Sequence, residues 1–446
     1  MRRAYDLRGF VRRNAVPLVS VLAALATCAF VPPDAGYASY VDWGTLGRLA
    51  CMLLAVSGLR ASGVFPALAA RFVARCRGVR AIVGALVGVT ALASMFVTND
   101  MALLALLPLA AACLLAAGRR DLIGVTFALQ GVAANLCGML LPFGNPQNIY
   151  LTGAFGLGFA EFVSVMLPPF AISVALVVLG CLVLVPRGRT AATPPAQLVD
   201  RRRAVAYGVL LALCVVTVLG LVSVPVCLAA VLVVTLAAER GPGLIVRTDW
   251  GLIVTFAAFF VFSGNLARVD VVRQAFSGWL AAGAFVPAAV LSQLISNVPA
   301  AVVLARFTGD WPGLLAGVNV GGAGTPIASL ATLIVITQFG MLTRELGVGA
   351  DAPSPEVAPP LPFPSMGSTA PADDTSSPRL FLATGDTALS CSPSPSPEAA
   401  PPRPLPPDDA APSRSLPPMC RFLGMLCGLN AACLVILLVA GVLLGW

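Results

Sequence analysis

The sequence predicts an all-α polytopic membrane protein made of two inverted-topology repeats, each with a re-entrant helical hairpin and a broken transmembrane helix. Of the 446 residues, 58% are hydrophobic and 11% are charged, and the mean hydropathy is +0.90. A soluble globule of this composition would have too little polar surface to cover itself. Apolar stretches recur along the chain, and matching polar residues interrupt them in its two halves.

The matching residues indicate that one membrane unit occurs twice. The tripeptide Asp-Trp-Gly occurs at 42–44 and again at 249–251. The polar pairs that align are Asn99 with Asn297, Asn135 with Asn319, and Pro142 with Pro326. Paired polar breaks at corresponding places of two repeats are the best sequence sign of a transporter's substrate site.

Predicted spans follow from the length of apolar runs, because crossing a bilayer takes about 20 apolar residues. The uninterrupted candidates are 14–31, 44–59, 122–141, 162–185, 204–222, 224–238, 250–266, 312–340 and 421–446. Two further stretches, 81–117 and 276–305, are interrupted at 98–100 and 296–299. The second return arm has only eight residues before Arg306, too few to cross, so both stretches are interpreted as re-entrant hairpins.

Arginine sets the predicted orientation, because cytoplasmic loops carry the excess of basic residues. In this layout one side holds the arginine-rich segments 1–13, 60–80, 118–121, 186–203 and 239–249. The other side has only Arg268, Arg273 and Arg306. The N-terminus is therefore predicted to be cytoplasmic, and the two Asp-Trp-Gly tripeptides lie on opposite faces, as inverted repeats require. The net charge of +8 is explained by these loops, so nucleic acid is not expected as a partner.

Six segments are predicted along the chain. They are a cytoplasmic arm (1–13), a first membrane repeat (14–186), a cytoplasmic loop (187–203), a second repeat (204–346), a linker (347–418) and a last transmembrane helix (419–446). The linker holds 19 of the 37 prolines, a composition typical of disorder. The first apolar run could be a signal peptide, but its match to the run at 224–238 favours an uncleaved helix.

The interrupted helices carry the candidate site. An unpaired backbone group costs several kcal/mol in hydrocarbon, so helices break only where protein or water can receive their free groups. Broken ends supply partial charges: N-termini attract anions, and free carbonyls coordinate cations. The predicted substrate-binding residues are Thr98, Asn99, Asn145, Asn148, Ser296, Asn297, Thr325 and Ser329. The alternative is that such residues only hold membrane helices together.

Ion coupling is assigned to a second, overlapping set of residues. Its members are Asp100, Asn99, Asn297, Gly144 and Gly324. Asp100 is the only carboxylate deep in an apolar stretch, where an acid costs roughly 2.5 to 3.5 kcal/mol. It is a candidate for cation coordination or proton transfer, although the aligned residue is Val298. No metal site beyond sodium and no cofactor is expected, because the twelve cysteines form no Cys-x-x-Cys pair and histidine is absent.

The chain resembles the ion transporter superfamily, in particular the citrate-transporter-like permeases that include arsenite pumps, sodium/proton antiporters of that type and divalent anion/sodium symporters. The resemblance rests on LPFGNPQNIYL at 141–151, TND at 98–100 and SNVPAAVVL at 296–304. It implies two repeats with hairpins, alternating access by elevator-like or rocking motion, and a homodimer. The symporters carry Ser-Asn-Thr at each hairpin tip. The third position differs here in both tips, so dicarboxylate specificity does not carry over.

The predicted function is secondary active transport of a small anion, either citrate or another carboxylate or an inorganic oxyanion, coupled to sodium or protons. The expected location is the bacterial inner membrane. The alternative is a cation/proton antiporter in which Asp100 exchanges the ions. A membrane enzyme is not expected, because the spans hold no histidine and one deep acid.

Overall fold

A computed structural model describes residues 14–189, 197–346 and 415–446. The described residues are helical, joined by short turns, with one isolated β-bridge between Gly78 and Arg189. In the first half the helices are α1 (Ala15–Thr27), α2 (Trp43–Ala61), α3 (Val64–Val73), α4 (Val79–Phe96), α5 (Asn99–Ala116), α6 (Ile123–Cys137), α7 (Pro146–Phe155) and α8 (Phe159–Leu184).

A connecting helix, α9 (Arg201–Val218), leads into the second half. The helices that follow are α10 (Val224–Glu239), α11 (Gly243–Arg247), α12 (Gly251–Ala267), α13 (Asp270–Leu280), α14 (Phe285–Ile295), α15 (Asn297–Leu304), α16 (Trp311–Val320), α17 (Leu330–Glu345) and α18 (Met419–Leu444). The all-α fold class is thereby confirmed.

The helices include several that can cross a bilayer by length and composition. Five qualify alone: α4, α5, the segment 120–140 that contains α6, α8 and α18. Two bent pairs raise the number to seven, namely α2 with α3, bent by 52°, and α12 with α13, bent by 96°. The chain is therefore a polytopic membrane protein.

Both hairpins break where the sequence predicts. The first turns at Val97 and Thr98, between two arms of 18 residues that are each long enough to span. The second turns at Ser296 alone, and its arms have 11 and 8 residues. At 1.5 Å per residue, an 11-residue helix is about 16 Å long, half the hydrocarbon thickness. Only the second pair is thus forced by its length to re-enter.

Three boundaries differ from the prediction. Residues 276–305 do not form one hairpin, because α13 is a separate helix and the hairpin starts at Phe285. The loop 60–80 contains α3, and the loop 187–203 already contains the start of α9. Helices α3 and α13 both follow the helix that begins near Asp-Trp-Gly. With ten and eleven residues they are too short to span a bilayer, and α13 is also interrupted by polar residues.

The predictions for 1–13, and for 347–414 of the linker, lie outside the described residues. The last residues before α18 are described, and they pack on the protein. Leu416 is 3% exposed, and Pro417 lies against Gly124 of α6.

Packing between the halves is reciprocal. Helix α1 packs along α12, and α10 packs along α2. Helix α5 contacts α17, and α15 contacts α7; likewise α6 contacts α18, and α16 contacts α8. In these three reciprocal sets, six helices of the first half (α1, α2, α5, α6, α7 and α8) each contact a helix of the second half. Helix α6 lies at the centre, where every one of its 15 residues is buried.

Side-chain hydrogen bonds join the end of α1 and the loop after it to the second half. The amide of Asn265 donates to Thr27 Oγ1 at 3.0 Å, and Arg268 donates to Asp34 at 2.7 Å and to the Tyr40 hydroxyl at 3.0 Å. The hydrogen bond from Arg268 lowers the pKa of Asp34, so this carboxylate stays ionised at neutral pH. Arg306, after α15, donates to the Tyr40 carbonyl at 2.8 Å. The first helix is therefore an integrated part of the fold.

Close helix packing generates a first prediction. A Cβ on Gly58 of α2 would lie 2.2 Å from the ring of Tyr207 on α9, and Glu239 holds the Tyr207 hydroxyl at 3.1 Å. Because the ring cannot swing away, Gly58→Ala should cost about 1 to 3 kcal/mol of stability and lower the thermal midpoint of the purified protein. Gly208→Ala is the matched control, since its Cβ would meet nothing within 4 Å. Equal midpoints for the two variants would contradict the packing.

Candidate functional site

Each half contains a helix that stops and restarts inside the protein. The first break, 138–145, separates α6 from α7 and begins with a 3-10 turn, Gly138–Leu140. The second break, 321–329, separates α16 from α17. Glycine and proline in both segments prevent a continuous helix, as the sequence indicates. The predicted broken helices are thus present, although the stretch 312–340 is two helices and not one span.

Asn135, at the end of α6, joins the first half to the second break. Its Oδ1 accepts from Asn99 Nδ2 at 3.2 Å and from Ser329 Oγ at 2.7 Å. Its Nδ2 donates to the Gly322 carbonyl at 3.3 Å and reaches Thr332 Oγ1 at 3.5 Å. We call these residues, together with Asn297, the central cluster. Its members are Asn99, Asn135, Asn297, Gly322, Ser329 and Thr332.

Asn297 completes this cluster from the tip of the second hairpin. A Cβ on Gly322 would lie 3.1 Å from Asn297 Nδ2 and 4.0 Å from Asn135 Oδ1, so both asparagines flank this glycine. The backbone N–H of Asn297 donates to the Ala328 carbonyl at 3.0 Å. The structure therefore brings three predicted substrate residues together around Asn135: Asn99, Asn297 and Ser329.

Asn319, at the end of α16, makes the opposite connection. Its Nδ2 donates to Asn148 Oδ1 at 2.8 Å, and its Oδ1 accepts from Gln147 Nε2 at 3.1 Å. Asn148 Nδ2 in turn donates to the carbonyls of Met139 and Leu141, both at 3.2 Å. Asn148 is a predicted substrate residue, yet its amide is used to close the first break.

The first break brings several oxygen atoms close together. A Cβ on Gly144 would lie 2.3 Å from the Gly138 carbonyl oxygen and 3.2 Å from that of Met95. A Cβ on Gly138 would lie 2.7 Å from Asn99 Oδ1 and 3.1 Å from the Ser94 carbonyl oxygen. Only glycine leaves room for this approach. The last turn of a helix presents carbonyls without intrahelical partners, and Ser94 and Met95 belong to the last turn of α4.

Asn145 is the most unusual side chain of this break. It is the residue before α7, it is 1% exposed, and neither Oδ1 nor Nδ2 has a hydrogen-bond partner within the described residues. Asn99 Oδ1 is also buried without a partner. A buried amide without partners costs about 1 to 3 kcal/mol unless something else binds it. These atoms can therefore bind a ligand.

The tips of the two hairpins differ in backbone conformation. Ser296 has φ +78° and ψ 154°, a region that residues other than glycine rarely adopt, whereas Thr98 has φ −56° and ψ 148°. Such strain costs about 1 to 3 kcal/mol and occurs most often at functional sites. The Ser296 hydroxyl lies 3.3 Å from the Ala328 carbonyl, so the strained tip is docked on the second break.

Asp100 lies in the first turn of α5 and is half-buried. Among the residues that the structure describes, no hydrogen bond or ion pair joins its carboxylate to another side chain. A helix N-terminus stabilises a carboxylate, so the Asp100 carboxylate is tolerated in the first turn of α5. Thr98, beside it, is 8% exposed and caps no amide with its side chain.

Thr325 and Gly324 lie apart from the central cluster. Thr325 is exposed, and both its N–H and its hydroxyl bond to Gln293, at 2.9 Å and 3.0 Å. Gly324 has φ +119° and faces the Gln293 side chain. Gln293 and Gln147 are polar residues of the site that the sequence analysis left out of its candidates. Asn135 and Asn319 were recognised as an aligned pair but were given no role.

Comparison with known proteins identifies the family. The family model of citrate transporters (CitMHS) matches residues 9–309. The chain belongs to the citrate transporter family. It is 28% identical to the inner membrane protein YbiR of Escherichia coli over 71% of this chain and 85% of that protein. It is 26% identical to an uncharacterised transporter of Methanocaldococcus jannaschii, over 66% of this chain and 81% of that one.

A further relative, an uncharacterised transporter of Mycobacterium tuberculosis, is 25% identical over 73% of this chain and 85% of its own length. Family membership, transporter relatives and several apolar spans agree. This member of the citrate transporter family is therefore a multi-pass membrane transporter.

The contacts of Asn135 generate a second prediction. Asn135→Ala would leave Asn99 Nδ2, Ser329 Oγ and the Gly322 carbonyl without this partner, at roughly 1 to 3 kcal/mol for each group that stays unpaired. We expect a clearly lower thermal midpoint. Asn430→Ala is the control, since among the described residues the buried Asn430 amide donates to the Leu426 carbonyl of its own helix and its Oδ1 has no partner, so this change removes no contact with another helix. A midpoint no lower than that of the control would refute the bridging role.

Proposed function

We propose that this protein is a secondary active transporter of a small anion, citrate or another carboxylate or an inorganic oxyanion, coupled to sodium or protons. The proposal rests chiefly on one observation: the Asn145 side chain is buried at a helix break with neither polar atom paired. A structural asparagine in a membrane protein would use its amide to bond to a neighbouring helix, as Asn319 does.

The cation is assigned to the first break. The carbonyl oxygens of Gly138, Met95 and Ser94 lie beside Gly144, and Asn99 Oδ1 lies with the Ser94 carbonyl beside Gly138. All four are hard oxygen ligands of the type that sodium prefers. Asn145 Oδ1 offers a fifth, unpaired oxygen. Of the predicted coupling residues, Asn99 and Gly144 belong to this group.

The anion is assigned to the central cluster. Three helices begin there: α5 at Asn99, α15 at Asn297 and α17 after Ser329. Helix N-termini carry partial positive charge and free N–H groups, which together favour a carboxylate or oxyanion. Hydroxyl and amide groups of the cluster add donors without a full charge to desolvate. A cation in the first break would lie beside this site, since Asn99 belongs to both.

Arg48 supplies a full positive charge near α7. Its Nη1 lies 2.5 Å from the place that a Cβ on Gly153 would take, and its Nε is buried without a hydrogen-bond partner. No carboxylate pairs with Arg48 within the described ranges. An unpaired guanidinium attracts anions, so we propose that it draws the substrate toward the cluster.

Transport would proceed by alternating access, with the hairpins opening the site to each side in turn. We also propose a homodimer in the bacterial inner membrane with a cytoplasmic N-terminus, consistent with the arginine-rich segments on one side.

Asn145 provides a direct test of the proposed function. Asn145→Ala removes no side-chain hydrogen bond present in the structure, so the thermal midpoint in sodium-free buffer without substrate should not fall. Loss of one ligand-binding amide should weaken coupled uptake of citrate or arsenate into proteoliposomes by about ten- to hundredfold in apparent affinity. Asn430→Ala should transport like wild type. Unchanged uptake by the Asn145 variant would overturn the assignment.

An exchange assay with Asp100→Asn distinguishes the proposed function from cation/proton exchange. In an anion carrier, vesicles with sodium and pH gradients but no substrate anion should show no exchange, as measured with a pH-sensitive dye. In an antiporter they should exchange, and Asp100→Asn should abolish that exchange. Anion-independent exchange lost in this variant would replace the proposed function with its alternative.

A further inference from the structure

Gln293 fills the second break with its side-chain amide. It lies on α14, one turn before the strained tip at Ser296, and its side chain is half-buried. Its Nε2 donates to the carbonyl oxygens of Gly321 at 2.7 Å and Ala323 at 3.1 Å, and it reaches that of Ala289 at 3.2 Å. Its Oε1 accepts from the Thr325 N–H at 2.9 Å. The amide is therefore bonded at both ends.

A single NH₂ group thus faces two carbonyls of the unwound segment, those of Gly321 and Ala323, and also contacts the Ala289 carbonyl of its own helix. Converging carbonyl dipoles at an unwound helix repel one another, and transporters commonly neutralise them with a sodium ion. A side-chain NH₂ carries partial positive charge on two hydrogens and can take over this role, with one hydrogen shared between two carbonyls. Gly324 makes room for it: its φ is +119°, and a Cβ there would overlap Gln293 Oε1 at 2.2 Å.

In the first break, the Asn148 amide donates to the carbonyls of Met139 and Leu141, but no side-chain amide of the described residues donates to those of Ser94, Met95 and Gly138. The alignment that pairs Asn99 with Asn297 pairs Met95 with Gln293, and methionine cannot donate a hydrogen bond. Asn99 Nδ2 points away from the break oxygens to Asn135, while Asn99 Oδ1 remains buried without a partner. Within the described residues, oxygens thus converge at both breaks. In the second, the Gln293 amide bonds to the carbonyls of Gly321 and Ala323, whereas in the first the Asn148 amide leaves those of Ser94, Met95 and Gly138 and Asn99 Oδ1 without a side-chain donor.

We propose that the Gln293 amide takes the place of a cation in the second break, so that the protein binds its coupling cation in the first break alone. In one respect this rests on the proposed function, which assigns the cation to the first break. The consequence is an asymmetric transporter: the second hairpin is held to its break by a permanent internal hydrogen-bond network, and the first is completed by an ion.

Gln293→Glu tests this directly. Glutamate has the same shape and keeps the acceptor for the Thr325 N–H, but it presents a carboxylate oxygen to the three carbonyls. Such a group should recruit a cation. We expect the purified variant at pH 8 to bind one more radioactive sodium ion per chain than wild type, as measured by equilibrium dialysis. A folded variant that binds the same number as wild type would overturn the proposal.

Asn145→Ala separates this result from the proposed function. Wild type is expected to bind its sodium ion in the first break. Loss of that ion in Asn145→Ala therefore tests the assignment to the first break. The extra ion of Gln293→Glu should persist in the double variant, because its ligands belong to the second break. If wild type binds no sodium but Gln293→Glu binds one, the assignment of sodium to the first break fails and the role of Gln293 stands.

Gln293→Ala covers the case in which the glutamate variant folds poorly. This change leaves the break carbonyls without the amide and leaves room for an ion beside them. Sodium, compared with choline, should therefore raise the thermal midpoint of this variant by more than it raises that of wild type. Leu294→Ala is the control for lost side-chain volume on the same helix, because Leu294 is 67% exposed. A sodium response equal to that of wild type in the alanine variant would also overturn the proposal.

Discussion

Backbone groups freed inside hydrocarbon must find partners, and the centre of this protein is organised around that requirement. Asn135 reaches from the end of α6 to the second break, and Asn319 reaches from the end of α16 to Asn148 and Gln147 in α7, directly after the first break. Each half thus satisfies polar groups that the other half exposes. The halves cannot separate without leaving buried amides and carbonyls unpaired, which ties the integrity of the site to the assembly of the whole fold.

The same requirement is met in different ways at the two breaks. In the second, protein groups close the network: Gln293 bonds to the loop carbonyls, and the tip at Ser296 and Asn297 docks on Ala328. In the first, Asn148 bonds to part of the loop, yet Asn145 and Asn99 Oδ1 stay unpaired. A break whose polar groups are paired within the protein is a rigid part of the structure. A break with buried unpaired atoms is suited to binding and releasing a ligand, and transport requires such a site.

Much of this arrangement was accessible from the sequence, because the signals are local. Several glycines and prolines close together at 138–146 and 321–326 disfavour a continuous helix, whereas Pro108 alone is accommodated inside α5. The short arms around Ser296 cannot cross a bilayer. The assignment of Thr325 to the substrate site rests on the same local pattern and stays a prediction; in the structure Thr325 is exposed and hydrogen-bonded to Gln293. Gln293 itself gave no signal, since one glutamine in an apolar helix says nothing about which carbonyls it will meet.

By itself the sequence determined that the chain is a membrane protein, where its helices break and which polar residues lie at the breaks, because hydropathy and backbone propensity act over a few neighbouring residues. Only the tertiary structure decided which of those polar side chains are hydrogen-bonded to other protein groups and which are not. Asn148 and Asn145 are three residues apart, but one is held by Asn319 and two loop carbonyls while the other is unpaired. Hydrogen-bond partners more than 170 residues away in the chain make that distinction, and residue type cannot encode it.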